Sequence, residues 1–123
     1  MIYSELTLRY FEAAAGAGEL SGPEVHRGAA GSRAQGAWVQ FDVRFSGGRI
    51  QAARFLAFAC PHTIAAASWI VERAVGSEPR AALPESVENL STRFAIPVEK
   101  RGRLLLLEDA WIAAIESAPA APR

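Results

Sequence analysis

The side chains able to do covalent or metal chemistry are few and lie close together. Cys60 is the only cysteine in the chain, Pro61 follows it, and His62 is one of two histidines, the other being His26. A thiolate can act as a nucleophile, a sulfur acceptor or a metal ligand. Zinc would need about four ligands, and Cys60 with His62 offers two at most, so metal binding by one chain alone is not expected. An independent thiol enzyme would need a base paired with the nucleophile, and no convincing acid–base pair accompanies Cys60. Pro61 suits the first position of a helix, where its missing N–H has no partner to lose, which makes Cys60 the N-cap. Helix N-terminal N–H groups lower a thiol pKa and His62 can add to this, while burial among apolar neighbours makes a cysteine an inert hydrophobe. Two readings of Cys60 follow: a reactive thiol or a small buried side chain. His62 reads as a polar first-turn residue, and His26, in a glycine-rich stretch, is expected to face solvent.

Several elements must position this thiol. Residues 53–59 (Ala-Arg-Phe-Leu-Ala-Phe-Ala) read as a strand running into Cys60. The following helix presents Ile64, Ala67, Val71 and Ala74 on one face, widened by Trp69, Ile70 and Val75, and Gly76 closes it. An opening helix spans residues 3–15, capped by Ser4, with Tyr3 and Leu8 placed as a hydrophobic staple and Thr7 where a full capping box has Glu or Gln. Residues 16–36 are punctuated by six glycines, with a short strand near residues 25–30. From Trp38 to Phe45, Val39, Phe41, Val43 and Phe45 alternate with Gln40, Asp42 and Arg44, the pattern of a half-buried antiparallel strand. Ser46-Gly47-Gly48 supplies a tight hairpin, and Ile50 begins the return strand. Pro79 and Pro84 are expected to open two short helical stretches, followed by a loop through residues 96–100. A last helix runs from about Arg103 to Ser117 on Leu104, Leu107, Trp111 and Ile115, and residues 119–123 read as a flexible tail after a single domain at 1–118. The three tryptophans fall at core-compatible positions.

Composition narrows the function classes. At 123 residues the chain makes one domain with a core of its own. Half of the residues are hydrophobic and 21% are charged, which suits a folded globular protein. The 13 basic residues balance the 13 acidic ones, and no basic run argues for nucleic acid. All the basic residues except Lys100 are arginine. No apolar run reaches the ~18 residues of a membrane span, and the N-terminus lacks a signal-peptide pattern. A single cysteine forms no internal disulfide, which suits a reducing cytoplasm.

Three blocks of residues, in order along nearly the whole chain, resemble the iron–sulfur cluster scaffold proteins, IscU and the N-terminal domain of NifU. They are Tyr3-Ser4-Glu5 with Tyr10, then Ala53-Arg54-Phe55 with Cys60 and Ile64-Ala65, then Glu108-Asp109-Ala110 with Ala113-Ala114-Ile115. The resemblance implies an α/β (α+β) fold, a three-stranded antiparallel sheet with helices packed around it. It also implies a ligand set of three cysteines assisted by an aspartate and a histidine. Cys60 matches the second cysteine. The first falls at Gln35 and the aspartate at Ala37, while the adjacent histidine and third cysteine fall at Gly102 and Arg103. None of these four can ligate iron as the family's residues do, and Arg103 brings a cation where a metal would sit. The family's chaperone-recognition motif is matched only in part by Ile96-Pro97-Val98-Glu99-Lys100.

What the resemblance implies for function is a non-enzymatic part in iron–sulfur assembly. Such a scaffold relative would contact a cysteine desulfurase or a cluster carrier, and would accept sulfur on Cys60 or ligate a cluster shared between chains. No cluster is expected to be held stably by the monomer. The alternative is an interaction module that keeps the fold without metal chemistry.

Overall fold

The computed structural model describes residues 3–117. The expected tail from Pro119, and the domain limit at 118, lie outside the described residues. The elements run α1 (Glu5–Ala13), β1 (His26–Ser32), β2 (Ala37–Ser46), β3 (Arg49–Phe58), α2 (Pro61–Ala74), α3 (Val87–Arg93), a 3₁₀ turn (Val98–Lys100) and α4 (Arg101–Glu116). The strands form one antiparallel sheet in the order β1-β2-β3, the fold class expected from the sequence.

The alternation in β2 decides which face of the sheet is covered by helices. Val39, Phe41 and Val43 are fully buried and lie opposite Ala57, Phe55 and Ala53 of β3. Burying each large apolar side chain contributes roughly 1.5–3 kcal/mol. Against this face α4 lies across β1 and β2, α2 lies on β3, and α1 packs on α2. The close approach of α4 to β1 depends on Gly28, because a Cβ there would overlap backbone atoms of Ala110, Ala113 and Ala114.

The other face is not left to water, as plain alternation implied. Asp42 is 1% exposed because residues 19–21 fold over it. Its carboxylate accepts from Arg27 Nε at 2.7 Å, Arg27 Nη2 at 2.9 Å and the Leu20 N–H at 2.9 Å. A buried carboxylate needs this many donors to offset its lost hydration.

Helix ends explain several departures from expectation. Ser4 caps α1 by accepting from the Thr7 N–H, and the buried Thr7 hydroxyl donates to the Phe94 carbonyl at 2.8 Å, which takes the place of a capping-box carboxylate. Leu8 is 38% exposed, and the Tyr3 ring lies against His62 with ring centroids 4.7 Å apart. Gly76 follows α2 at φ 89°, as a helix-ending glycine should, yet Val75 is 49% exposed because the helical register has ended by then. Only one helix forms between residues 77 and 96, not two: residues 79–86 are bends and irregular chain, and the helix waits for Ser86, whose side chain accepts from the Asn89 N–H. The residue before a proline is disfavoured in the helical region, so Leu83 before Pro84 breaks any earlier start. The last helix begins at Arg101, continuing from the 3₁₀ turn.

Candidate functional site

Cys60 sits at the junction the sequence requires. It is the N-cap of α2 with extended backbone, φ −76° and ψ 164°, and Pro61 takes the first turn. The thiol is half-buried. Its Sγ lies 3.5 Å from Thr63 Oγ1. Burial pushes the Cys60 pKa up, but the Thr63 hydroxyl and N–H, the Lys100 charge and the His62 N–H together outweigh it, leaving the thiol below its ordinary range. A larger thiolate fraction near neutral pH makes a better nucleophile and sulfur acceptor.

His62 lies in the first turn of α2, as expected, but is turned into the protein. Its side chain is 2% exposed, against the Tyr3 ring, and its Nδ1 has no hydrogen-bond partner among the described residues. Burial first, and Lys100 second, hold its pKa below the usual histidine range. The neutral imidazole adds no positive charge to Cys60. His26 is also not solvent-facing: its Nδ1–H donates to the Ser117 carbonyl at 2.7 Å, and its ring lies 4.3 Å from that of Phe45. It ties β1 to the end of α4, away from Cys60.

The positions matching the family's other ligands gather at the same end of the sheet as Cys60. Ser32 pairs with Ala37 and Trp38 pairs with Phe58, so the turn through residues 33–36 and the end of β3 lie together. Arg103 Nη1 donates to the Gly36 carbonyl at 3.4 Å, which brings the first turn of α4 there too. Gln35 is exposed, its N–H bonded to Ser32 Oγ, whereas Ala37 is 4% exposed in β2. Gly102 has open space around it. Arg33 stands over the Phe58 ring at 5.8 Å. Of the basic side chains at this end of the sheet, Lys100 is the one whose charge acts on the half-buried thiol. Among the described residues no three His, Cys, Asp or Glu side chains converge to hold a metal ion. The donor set does not fit an iron–sulfur cluster, since one thiolate is present where several must converge.

Sequence reasoning did not foresee the influence of Lys100 on Cys60 or the Tyr3–His62 contact. Lys100 stood out only as the sole lysine. Two exposed apolar side chains flank this region in sequence: Phe58, 48% exposed, lies two residues before Cys60, and Val98, 70% exposed, two residues before Lys100. No described helix is long and apolar enough to cross a membrane.

Solved structures share this fold. A candidate iron–sulfur cluster assembly scaffold protein for the SUF system from the thermophile Fervidobacterium islandicum AW-1 superposes with a TM-score of 0.75 at 15% identity, covering 93% of this chain and 96% of that one. A nitrogen-fixing NifU-like protein (N-terminal) from Brucella abortus superposes with a TM-score of 0.70 at 20% identity, covering 91% and 90%. At these identities the likeness is one of fold. No curated protein matches the chain. Residues 2–121 match the sequence profile of the NifU-like N terminal domain, and since that span is nearly the whole chain, this protein belongs to the NifU N-terminal domain family.

Proposed function

We propose that this chain serves iron–sulfur cluster assembly as a sulfur-accepting relative of the scaffold proteins, working through contact with a cysteine desulfurase or a carrier, and that it does not itself hold a cluster. The observation that carries this reading is the thiol at the start of α2, half-buried, beside Thr63 and under the charge of Lys100, and below its ordinary pKa. The Lys100 charge disfavours a metal cation beside the thiol and favours an anionic sulfur species. The step is an exchange: the Cys60 thiolate attacks the outer sulfur of a partner's persulfide, a new S–S bond forms on Cys60 as the partner's S–S bond breaks, and the partner's thiolate leaves. The transferred atom keeps its oxidation level, so no further oxidant or reductant is needed. Cys60 takes part stoichiometrically, and the chain is not an enzyme in this reading. A reducing cytoplasm would keep the thiol available.

The second reading is an interaction module with no sulfur chemistry, favoured by the exposure of Phe58 and Val98 beside the site. Incubation with a cysteine desulfurase and cysteine, followed by intact mass spectrometry, separates the two. Addition of one sulfur atom, absent from Cys60→Ser, supports the acceptor. Association without added sulfur leaves the module as the better account. Visible absorbance from a dimer after anaerobic reconstitution with iron and sulfide would overturn both in favour of a cluster shared between chains.

A further inference from the structure

A cavity of about 640 Å³ lies between α1, β3 and α2, lined on different sides by Arg9, Ala53, Arg54, Ser68, Val71 and Glu72. It belongs to a different part of the molecule from the thiol. Its floor is a gap in the sheet edge with a paired residue on either side. The outer strand β3 is paired along that edge at one end by Gly16 and Gly18, which bond Phe55 at 2.9 and 2.8 Å, and at the other by Ser77 and Gly76, each bonding Ile50 at 2.8 Å. Strand alternation puts the N–H and C=O of Ala53 on the same edge as those of Phe55, and among the described residues neither has a partner there. Ser68, 3% exposed, lines the same cavity, and its hydroxyl makes no hydrogen bond among the described residues. Buried or half-buried polar groups left unpaired in a cavity mark a place where a ligand can supply the missing bonds.

Shape and charge restrict what fits. Because the edge is already paired at Ile50 and at Phe55, on either side of Ala53, an extended peptide cannot run along this stretch, and only a compact group spanning one residue's donor and acceptor can enter. Arg9 and Arg54 supply cationic walls, the latter held by its bond to the Ala15 carbonyl at 3.4 Å. Glu72 supplies an anionic one beside the Tyr10 hydroxyl. Val71, Val75 and Ala13 add apolar surface. We infer that this cavity binds a free α-amino acid with an apolar side chain: its carboxylate meets the guanidinium groups and the Ala53 N–H, its ammonium meets Glu72 and the Ala53 carbonyl, and its side chain lies against Val71 and Val75. The inference is independent of the proposed role of Cys60.

The test is a titration of the full ¹⁵N-labelled chain with leucine, alongside 4-methylpentanoate, which lacks the ammonium, and isoamylamine, which lacks the carboxylate. Leucine is expected to give saturable amide shifts centred on Gly16, Ala53, Arg54 and Glu72, with each analogue weaker by about tenfold or more, the order of one lost charge-assisted bond. Glu72→Gln should erase the preference for leucine over 4-methylpentanoate, and Arg54→Gln should erase that over isoamylamine. Both residues are exposed, and the spectrum itself reports whether each variant keeps its fold. No saturable shift at tens of millimolar leucine would overturn the inference, as would equal binding of leucine and 4-methylpentanoate, which would mark a site for any carboxylate.

Discussion

Arg103 reaches across from the first turn of α4 to the carbonyl of Gly36, its Nη1 3.4 Å from that oxygen, and so stands between the positions at Gln35 and Ala37 where the family's first cysteine and aspartate would fall. A guanidinium thus links the turn after β1 to the first turn of α4. Replacing Gln35 by Cys, Ala37 by Asp, Gly102 by His and Arg103 by Cys should convert the place to a zinc site with Cys60. Ala37 is 4% exposed, so a carboxylate there is destabilising until a cation neutralises it. The fourfold variant is expected to melt below the parent without zinc and to regain stability with it, reversibly on chelation. A folded variant with unchanged melting in zinc would show that these four positions do not converge on Cys60.

The Cys60 thiol should ionise at a lower pH than a cysteine in the unfolded chain. Burial raises its pKa, while Thr63, Lys100 and the His62 N–H lower it by more. The pH dependence of iodoacetamide alkylation should therefore have its midpoint below that of the urea-unfolded protein. Thr63→Val should raise the midpoint, and Lys100→Met should raise it less. Added salt should also raise it in the parent, and less so in Lys100→Met, because the Lys100 contribution is screened. A native midpoint above the unfolded one would mean that burial dominates and would count against Cys60 as a sulfur acceptor.

His62 should make stability fall on mild acidification. Its folded pKa is depressed, by burial and then by Lys100, so the unfolded chain takes up a proton that the folded chain resists. Its contribution is complete above the unfolded value of about 6.5 and is lost as pH falls through that value toward the folded one. Urea unfolding at about pH 7.5 and about pH 5.5 should show a larger drop for the parent than for His62→Phe, which keeps an aromatic ring against Tyr3. Equal drops in the two proteins would show that residue 62 is not the titrating group.

Gly28→Ala should loosen the seat of α4 on β1. The added Cβ meets backbone atoms of Ala110, Ala113 and Ala114, which cannot rotate away as a flexible side chain would. The expected loss is about 3 kcal/mol, the upper end for overpacking, or failure to fold. Gly102→Ala serves as the control, since nothing lies near it and alanine favours a helix; it should be neutral or slightly stabilising. A loss under about 1 kcal/mol for Gly28→Ala would mean that the two elements sit further apart than described.

Much of the architecture was decided by short-range features of the sequence. The alternation Val39-Phe41-Val43, the glycine pair after Ser46, Ser4 before α1 and Pro61 after Cys60 act through their immediate neighbours, so strands, hairpin and helix starts could be read in order. Where the outcome depended on distant residues, tertiary structure decided it. Asp42 is buried only because residues 19–21 fold over the sheet, His26 is held by a carbonyl 91 residues away, and Thr7 by one 87 residues away. The same holds at the thiol: the sequence placed Cys60 at a helix start, but its pKa rests on a balance between burial and Lys100, Thr63 and His62. Local propensity follows from the few bonds along the chain that each residue constrains, whereas burial and charge at a site follow from which remote segments close over it.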